Sequence, residues 1–202
     1  MKKLLFGTAL GVMCCMAPAM AANQSGNSPF TGLYVGAYGG YDWSDADTTV
    51  AGFNPDLDGW DGGFFAGYRL DSLMRNNDMG FNAAIEAFYG WSNSDDSVGA
   101  LYLEKEDEWG VSFRPGLSFI EDYTFGASPY AIFGYRNTEY RASAGALTGT
   151  EDYDGFELGI GAQLLAHGNI GLRLEYAHVW YSEENGIDPD SDNVRLGLSY
   201  HF

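Results

Sequence analysis

Apolar positions alternate with polar or glycine positions in segment after segment from residue 32 to the last residue, and no window of twelve or more favours the helical period. The stretch "VRLGLSYHF", residues 194–202, shows the pattern most plainly. Val194, Leu196, Leu198, Tyr200 and Phe202 fall on one side, and Arg195, Gly197, Ser199 and His201 on the other. Chain ends that bury little usually fray, so a segment patterned to its final side chain predicts a strand with neighbours waiting for it. Seven further segments alternate in the same way, at about 32–42, 59–70, 80–91, 108–120, 129–140, 154–165 and 170–181. Clusters of Gly, Asp, Asn, Ser and Pro separate them, as turns require. The pattern predicts eight strands in one domain, with no repeat beyond the hairpin.

Two features decide between a soluble sandwich and a barrel. The apolar faces carry aromatics near strand ends, among them Tyr41, Trp60, Tyr89, Trp91, Trp109, Phe119, Trp180 and Phe202. Aromatics rimming an apolar band are the girdle of a membrane–water interface, and Tyr41, Trp60, Trp91, Trp109 and Trp180 are its candidates here. The opposite faces carry glycine and isolated full charges in mid-strand: Arg69, Glu86, Arg114, Glu157, Arg173, Glu175 and Arg195. Small residues with single charges suit the crowded inside of a narrow barrel. About ten tilted residues cross an outer membrane, and an even, closed set of strands leaves no unpaired backbone in lipid. The predicted fold is therefore all-β, an eight-stranded antiparallel transmembrane up-and-down β-barrel. Pro115 lacks an N–H inside one of these strands and predicts a bulge or a missing ladder bond.

Connections alternate in length. Those around 43–58, 92–107, 141–153 and 182–193 read as long loops, and those around 71–79, 121–128 and 166–169 as short turns. Long extracellular loops and short periplasmic turns are the barrel arrangement. Acid concentrates in the long ones, with Asp45, Asp47, Asp56 and Asp58 in the first and Glu183, Glu184, Asp188, Asp190 and Asp192 in the last.

The first residues change the accounting. Lys2 and Lys3, an apolar run from Leu4 to about Met16 and the small-x-small site Ala19-Met20-Ala21 form a secretory signal peptide, residues 1–21, leaving residues 22–202 as the barrel domain. Cys14 and Cys15 are the only cysteines and leave with the leader, so no disulfide framework or thiolate site remains. Losing two lysines also makes the mature chain two charges more negative than the −18 of the whole. Such a chain repels phosphate backbones, which argues against a nucleic-acid partner.

Charge inside a narrow lumen is costly unless paired. The four arginines and three glutamates on the inward faces therefore predict a hydrogen-bonded network. It acts as a plug, or as a gate whose ion pairs re-form to open a path. "DPDSDN", residues 188–193, resembles the start of a calcium loop and makes Asp188, Asp190 and Asp192 a weak metal candidate. The glycine expected at its sixth position is Asn193, and the closing acid is absent. "GIGAQLLAHG", residues 159–168, lacks the third glycine of a dinucleotide loop and is read as strand. No cofactor is called for.

"FTGLYVGAYGGYDW", residues 30–43, and "NVRLGLSYHF", residues 193–202, resemble the first and last strands of small eight-stranded outer-membrane barrels of the OmpA-like and opacity type, in their porin-family surface-antigen branch. The resemblance implies an outer-membrane address in a Gram-negative cell, contact with outer-membrane lipid and lipopolysaccharide, and handling by periplasmic chaperones and the barrel-assembly machinery. That machinery reads the last strand, so Tyr200 and Phe202 are the candidate assembly signal. The resemblance does not imply one activity: members include structural proteins, weak pores, adhesins and immune-evasion antigens. The leading expectation is a porin-like or structural barrel with a charged, narrow or gated lumen. The alternative is a surface adhesin or antigen that meets host or surface ligands through its acidic loops. A lipid-modifying enzyme is less favoured, because His178 is assigned to the lipid face, His201 to the lumen and His167 to a periplasmic turn. Trp180 also stands where a deacylase would need a serine two residues after His178.

Overall fold

The computed structural model describes residues 31–48, 56–71, 79–98, 101–122, 125–144, 147–166, 169–182 and 187–202. The leader, with Ala19 and Ala21, and His167 lie outside these residues. The described chain forms nine strands: β1 (Gly32–Thr48), β2 (Asp56–Asp71), β3 (Met79–Ser92), β4 (Asp95–Val98), β5 (Leu101–Asp122), β6 (Phe125–Ala144), β7 (Leu147–Ala166), β8 (Ile170–Tyr181) and β9 (Ile187–His201). Eight of them make the wall, in the order β1-β9-β8-β7-β6-β5-β3-β2, and β2 pairs back onto β1. The sheet has no edge. β4 is an extra strand in the β3–β5 connection, antiparallel to β5 from Asp95↔Glu104 to Val98↔Leu101.

The terminal strand does close the barrel. β9 pairs with β1 from Tyr34↔His201 to Thr48↔Ile187, and the Phe202 N–H donates to the Leu33 carbonyl at 3.0 Å. Along every wall strand the period-2 rule sorts side chains to two faces. The outward face is apolar and exposed, with Trp60 at 69%, Ile160 at 67% and Ile85 at 64% accessible, whereas Glu86 on the inward face is at 0%. A belt of this size on a soluble protein would be an aggregation surface; against hydrocarbon it is the stable face. The molecule is thus inside-out, with its ionic groups in the core.

The segments read as long loops are largely strand. β1 runs to Thr48 and β2 starts at Asp56; β6 and β7 stay paired out to Ala144↔Leu147. Side-chain alternation fades in these stretches because water replaces lipid on the outside. The backbone ladder needs no such alternation, so the hairpins continue beyond the apolar belt. "DPDSDN" is likewise part of β9, paired with β1 from Asp47↔Asp188 to Asp42↔Asn193, and is not a calcium loop. Pro115 is not a bulge. β5 and β6 pair at Phe113↔Phe133, Gly116↔Tyr130 and Phe119↔Ala127 with constant register and are unpaired between these points.

Candidate functional site

Inward side chains fill the barrel in layers. At the end where β1 begins and β9 finishes, Asn82 Nδ2 donates to Ser118 Oγ at 2.7 Å and Ser128 Oγ at 3.0 Å. In the same layer Gln163 Nε2 donates to Ser199 Oγ at 2.9 Å, and His201 stacks on Tyr34 with centroids 5.1 Å apart. Next comes an ionic layer. Glu86 binds Arg114 Nη2 at 2.8 Å and Arg173 Nη1 at 2.6 Å. Glu175 accepts from Arg114 Nη1 and, at 2.5 Å, from the Tyr130 hydroxyl. The Arg69 guanidinium stands over the Tyr34 and Tyr130 rings, 5.8 Å from each centroid.

An aromatic layer of Tyr34, Tyr38, Phe65 and Phe88 follows. Arg173 covers Phe65 at 3.4 Å from one side, and Arg195 lies 4.6 Å from Tyr38 and 5.3 Å from Phe88 on the other. Cation–π contacts therefore tie this layer to both ionic neighbours.

The second ionic layer centres on Glu108, which takes Lys105 Nζ at 3.2 Å, Arg136 Nη1 at 3.3 Å, the Tyr38 hydroxyl at 3.0 Å and Arg195 Nη2. Arg195 also binds Asp61 at 2.7 Å, Arg136 binds Glu157, and Lys105 binds Asp42 at 2.8 Å. A cluster of Leu57, Tyr140, Tyr153, Val179 and Tyr181 lies beyond, with Tyr140 edge-on to Tyr153 and Tyr181 at 5.5 and 6.2 Å.

Among the described residues, six buried cations face six buried carboxylates. The interior is neutral, so the net charge of −18 is carried outside it. The seven charges assigned to the lumen from sequence divide between the two layers: Arg69, Glu86, Arg114, Arg173 and Glu175 in the first, Glu157 and Arg195 in the second. Five partners were not in that set. Asp42, Asp61 and Arg136 share the inward parity of β1, β2 and β6, and Lys105 and Glu108 lie around a register shift that hides their parity. The inward aromatics were also unassigned. Their signal is the glycine opposite: a Cβ on Gly90 would stand 2.1 Å from the Tyr38 hydroxyl, and one on Gly110 would stand 2.5 Å from the Phe88 ring.

The outer rim repeats one device. Tyr41 donates to Asp58, Tyr89 to Asp107 at 2.7 Å, Tyr135 to Asp154, and Tyr176 to Asp192 at 2.6 Å. These pairs lie in the β1–β2, β3–β5, β6–β7 and β8–β9 hairpins. Each aspartate stands one same-face step beyond the tyrosine's cross-strand partner: Trp60, Trp109, Phe156 and Val194 in turn. Trp60, Trp91, Trp109 and Trp180 belong to the same ring, with Tyr41 edge-on to Trp60 at 5.5 Å. Phe119, Tyr200 and Phe202 lie at the opposite rim, where Tyr200 and Phe202 meet at 5.2 Å.

The two described histidines, His178 and His201, do not converge. His178 faces outward with Nδ1 2.9 Å from Asp192, while His201 is buried in the lumen. Burial raises the Asp192 carboxyl, but hydrogen bonds from Tyr176 and His178 outweigh it and hold the group below its ordinary value. In the extended β9, same-face neighbours such as Asp190 and Asp192 stand about 7 Å apart. Among the described residues no group of three or more acidic, histidine or cysteine side chains is placed to hold a metal.

Residues 7–202 match the family of outer membrane protein beta-barrel domains. The chain belongs to that family. It is 26% identical to a 25 kDa outer-membrane immunogenic protein of Brucella ovis over 86% of this chain and 78% of that protein. It is 26% identical to the Brucella canis protein of the same name over 86% and 79%. Among solved structures, Neisserial surface protein A matches with a TM-score of 0.51 at 18% identity, over 85% of this chain and 98% of that one. The protein is an outer-membrane barrel of a Gram-negative cell. By the family's architecture the long hairpins and the Tyr–Asp ring are extracellular, and the start of β1 and the end of β9 are periplasmic.

Proposed function

We propose that the barrel is a closed scaffold that displays four acidic hairpins at the cell surface and acts through them as a surface antigen or adhesin. The observation that carries this is the filled lumen. Five layers follow one another along the axis, and the ionic ones are interlocked with the aromatic one by Tyr38, Arg173 and Arg195. Eight strands leave an interior just wide enough for side chains, and a path for ions would require every layer to part together. The immunogenic relatives fit a protein whose exposed part faces outward. The net negative charge, which the neutral lumen does not carry, gives the hairpins a surface suited to cationic partners.

A surface role without catalysis is supported by His178 and His201 standing on opposite faces of the wall. Planar-bilayer recording tests it: the parent and the Arg114→Ala and Glu86→Ala variants are expected to be silent. Steady conductance from the parent, or channels opened by either variant, would replace display with a gated pore. Binding of the whole protein to host-cell surfaces should fall when the 141–153 hairpin is shortened and be untouched by the lumen variants.

A further inference from the structure

The Tyr135–Asp154 pair of the outer rim stands at a cavity. Tyr135, Phe156 and Trp180 lie side by side on the outward faces of β6, β7 and β8, through the pairs Tyr135↔Phe156 and Phe156↔Trp180. The Phe156 and Trp180 rings are nearly parallel, with 20° between their planes and centroids 6.2 Å apart. Asp154 is one same-face step farther out on β7. These side chains, with Gly155 and Ser182, line a hollow of about 250 Å³. Sites for drug-sized ligands run from about 300 to 1,000 Å³, so this one suits a single side chain.

Neutral donors hold the carboxylate. The Tyr135 hydroxyl and, at 2.8 Å, Asn137 Nδ2 both donate to Asp154 Oδ1. They fix its orientation without cancelling its charge. On the neighbouring hairpin the Asp192 carboxylate is instead shared by Tyr176 and His178. The strands also leave the hollow open to the outside. β8 ends at Tyr181, opposite Gly155, while β7 continues out to Leu147 beside β6. Among the described residues no strand pairs with β7 on its β8 side beyond that point. Glu151 and Asp152 stand exposed along this stretch.

We infer that the hollow is a binding site for an arginine side chain of a cationic protein segment. A carboxylate beside aromatic faces selects a flat cation. A guanidinium stacks on a ring while its fork meets the carboxylate, whereas an ammonium is a compact, strongly hydrated point charge. The acid along β7 draws the cation in. The inference rests on the display reading above and names what one hairpin takes.

Fluorescence anisotropy tests it, with the whole barrel folded into phosphatidylcholine nanodiscs and a labelled Gly-Ser-Arg repeat peptide as probe. Salt is set at about 0.15 M, where the screening length is about 8 Å. The parent is expected to bind the peptide, and Asp154→Asn and Trp180→Leu to weaken binding at least tenfold. Asp58→Asn should bind like the parent: it removes the same charge beside Tyr41 on the far side of the barrel, where Tyr41 and Trp60 meet edge-on. Peptides with lysine or neutral citrulline in place of arginine should bind more weakly. A heat-modifiable gel band confirms that each variant is folded before it is scored. A parent that does not bind, hollow variants equal to the parent, an equal loss in Asp58→Asn, or a lysine or citrulline peptide held as tightly would each overturn the assignment. None of these results touches the display reading, which stands or falls on conductance and host-cell binding.

Discussion

Neutralising Glu86 puts the ionic core to a direct test. Glu86→Gln keeps the shape of the side chain and opens no cavity, so its cost is electrostatic. The carboxylate is fully buried and binds Arg114 at 2.8 Å and Arg173 at 2.6 Å. Hydrogen bonds to charged groups contribute about 1.5–3 kcal/mol each, and removing one partner of a buried ion pair costs about 3–5 kcal/mol. Glu175 remains beside both arginines, bonded to Arg114 Nη1 and 3.3 Å from Arg173 Nε, and softens the loss. The low end applies, about 3 kcal/mol, roughly two decades in the unfolding equilibrium. Urea titration in lipid vesicles, followed by tryptophan fluorescence and by the heat-modifiable gel shift, reads it directly. Arg114→Met should cost a similar amount, and the double variant clearly less than the sum of the two, because the residues are in contact. A loss below about 1 kcal/mol with additive singles would mean that water already solvates these charges. The lumen would then be open to water and not a closed core.

Other outcomes follow from the same geometry. Replacing Tyr41, Tyr89, Tyr135 or Tyr176 by Phe removes one rim hydrogen bond and should lower stability slightly, by amounts that add across the four separate hairpins; strong coupling between them would show that the ring acts as one unit. The Tyr176 contribution depends on pH. Asp192 is depressed in the folded state, so its stabilisation is present above the ordinary carboxylate range and lost as pH falls through the folded value; an effect of Tyr176→Phe that grew toward acid would contradict the bond. Gly63→Ala places a Cβ 2.4 Å from the Tyr89 carbonyl and 2.7 Å from Gly90 Cα, both backbone, whereas Gly149 has open space around it. The first should lose about 1–3 kcal/mol and Gly149→Ala almost nothing, as judged by chemical unfolding. Deleting Phe202 removes its bond to Leu33 and its contact with Tyr200, and should sharply reduce heat-modifiable protein in the outer membrane; normal insertion would end its candidacy as an assembly signal.

Alternation in "VRLGLSYHF" is a local property of consecutive residues, and it settles strand, face and termination without reference to any neighbour. The same holds for the sorting of Glu86, Arg114 and Arg173 to one face, because parity along a strand needs no partner. The chain therefore states by itself that it is a closed barrel with charge inside and aromatics at its rims. It does not state which charges meet. Arg195 and Glu108 are 87 positions apart and bond only because closure brings β9 and β5 across the lumen from each other. Lys105 and Glu108 escape the parity rule at a register shift, which is a property of two strands together. The four Tyr–Asp bonds depend on hairpin register, and the hollow beside Asp154 on Phe156 and Trp180 meeting across two strands. Local periodicity is written residue by residue, whereas pairing is a relation between distant residues and exists only once the barrel has closed.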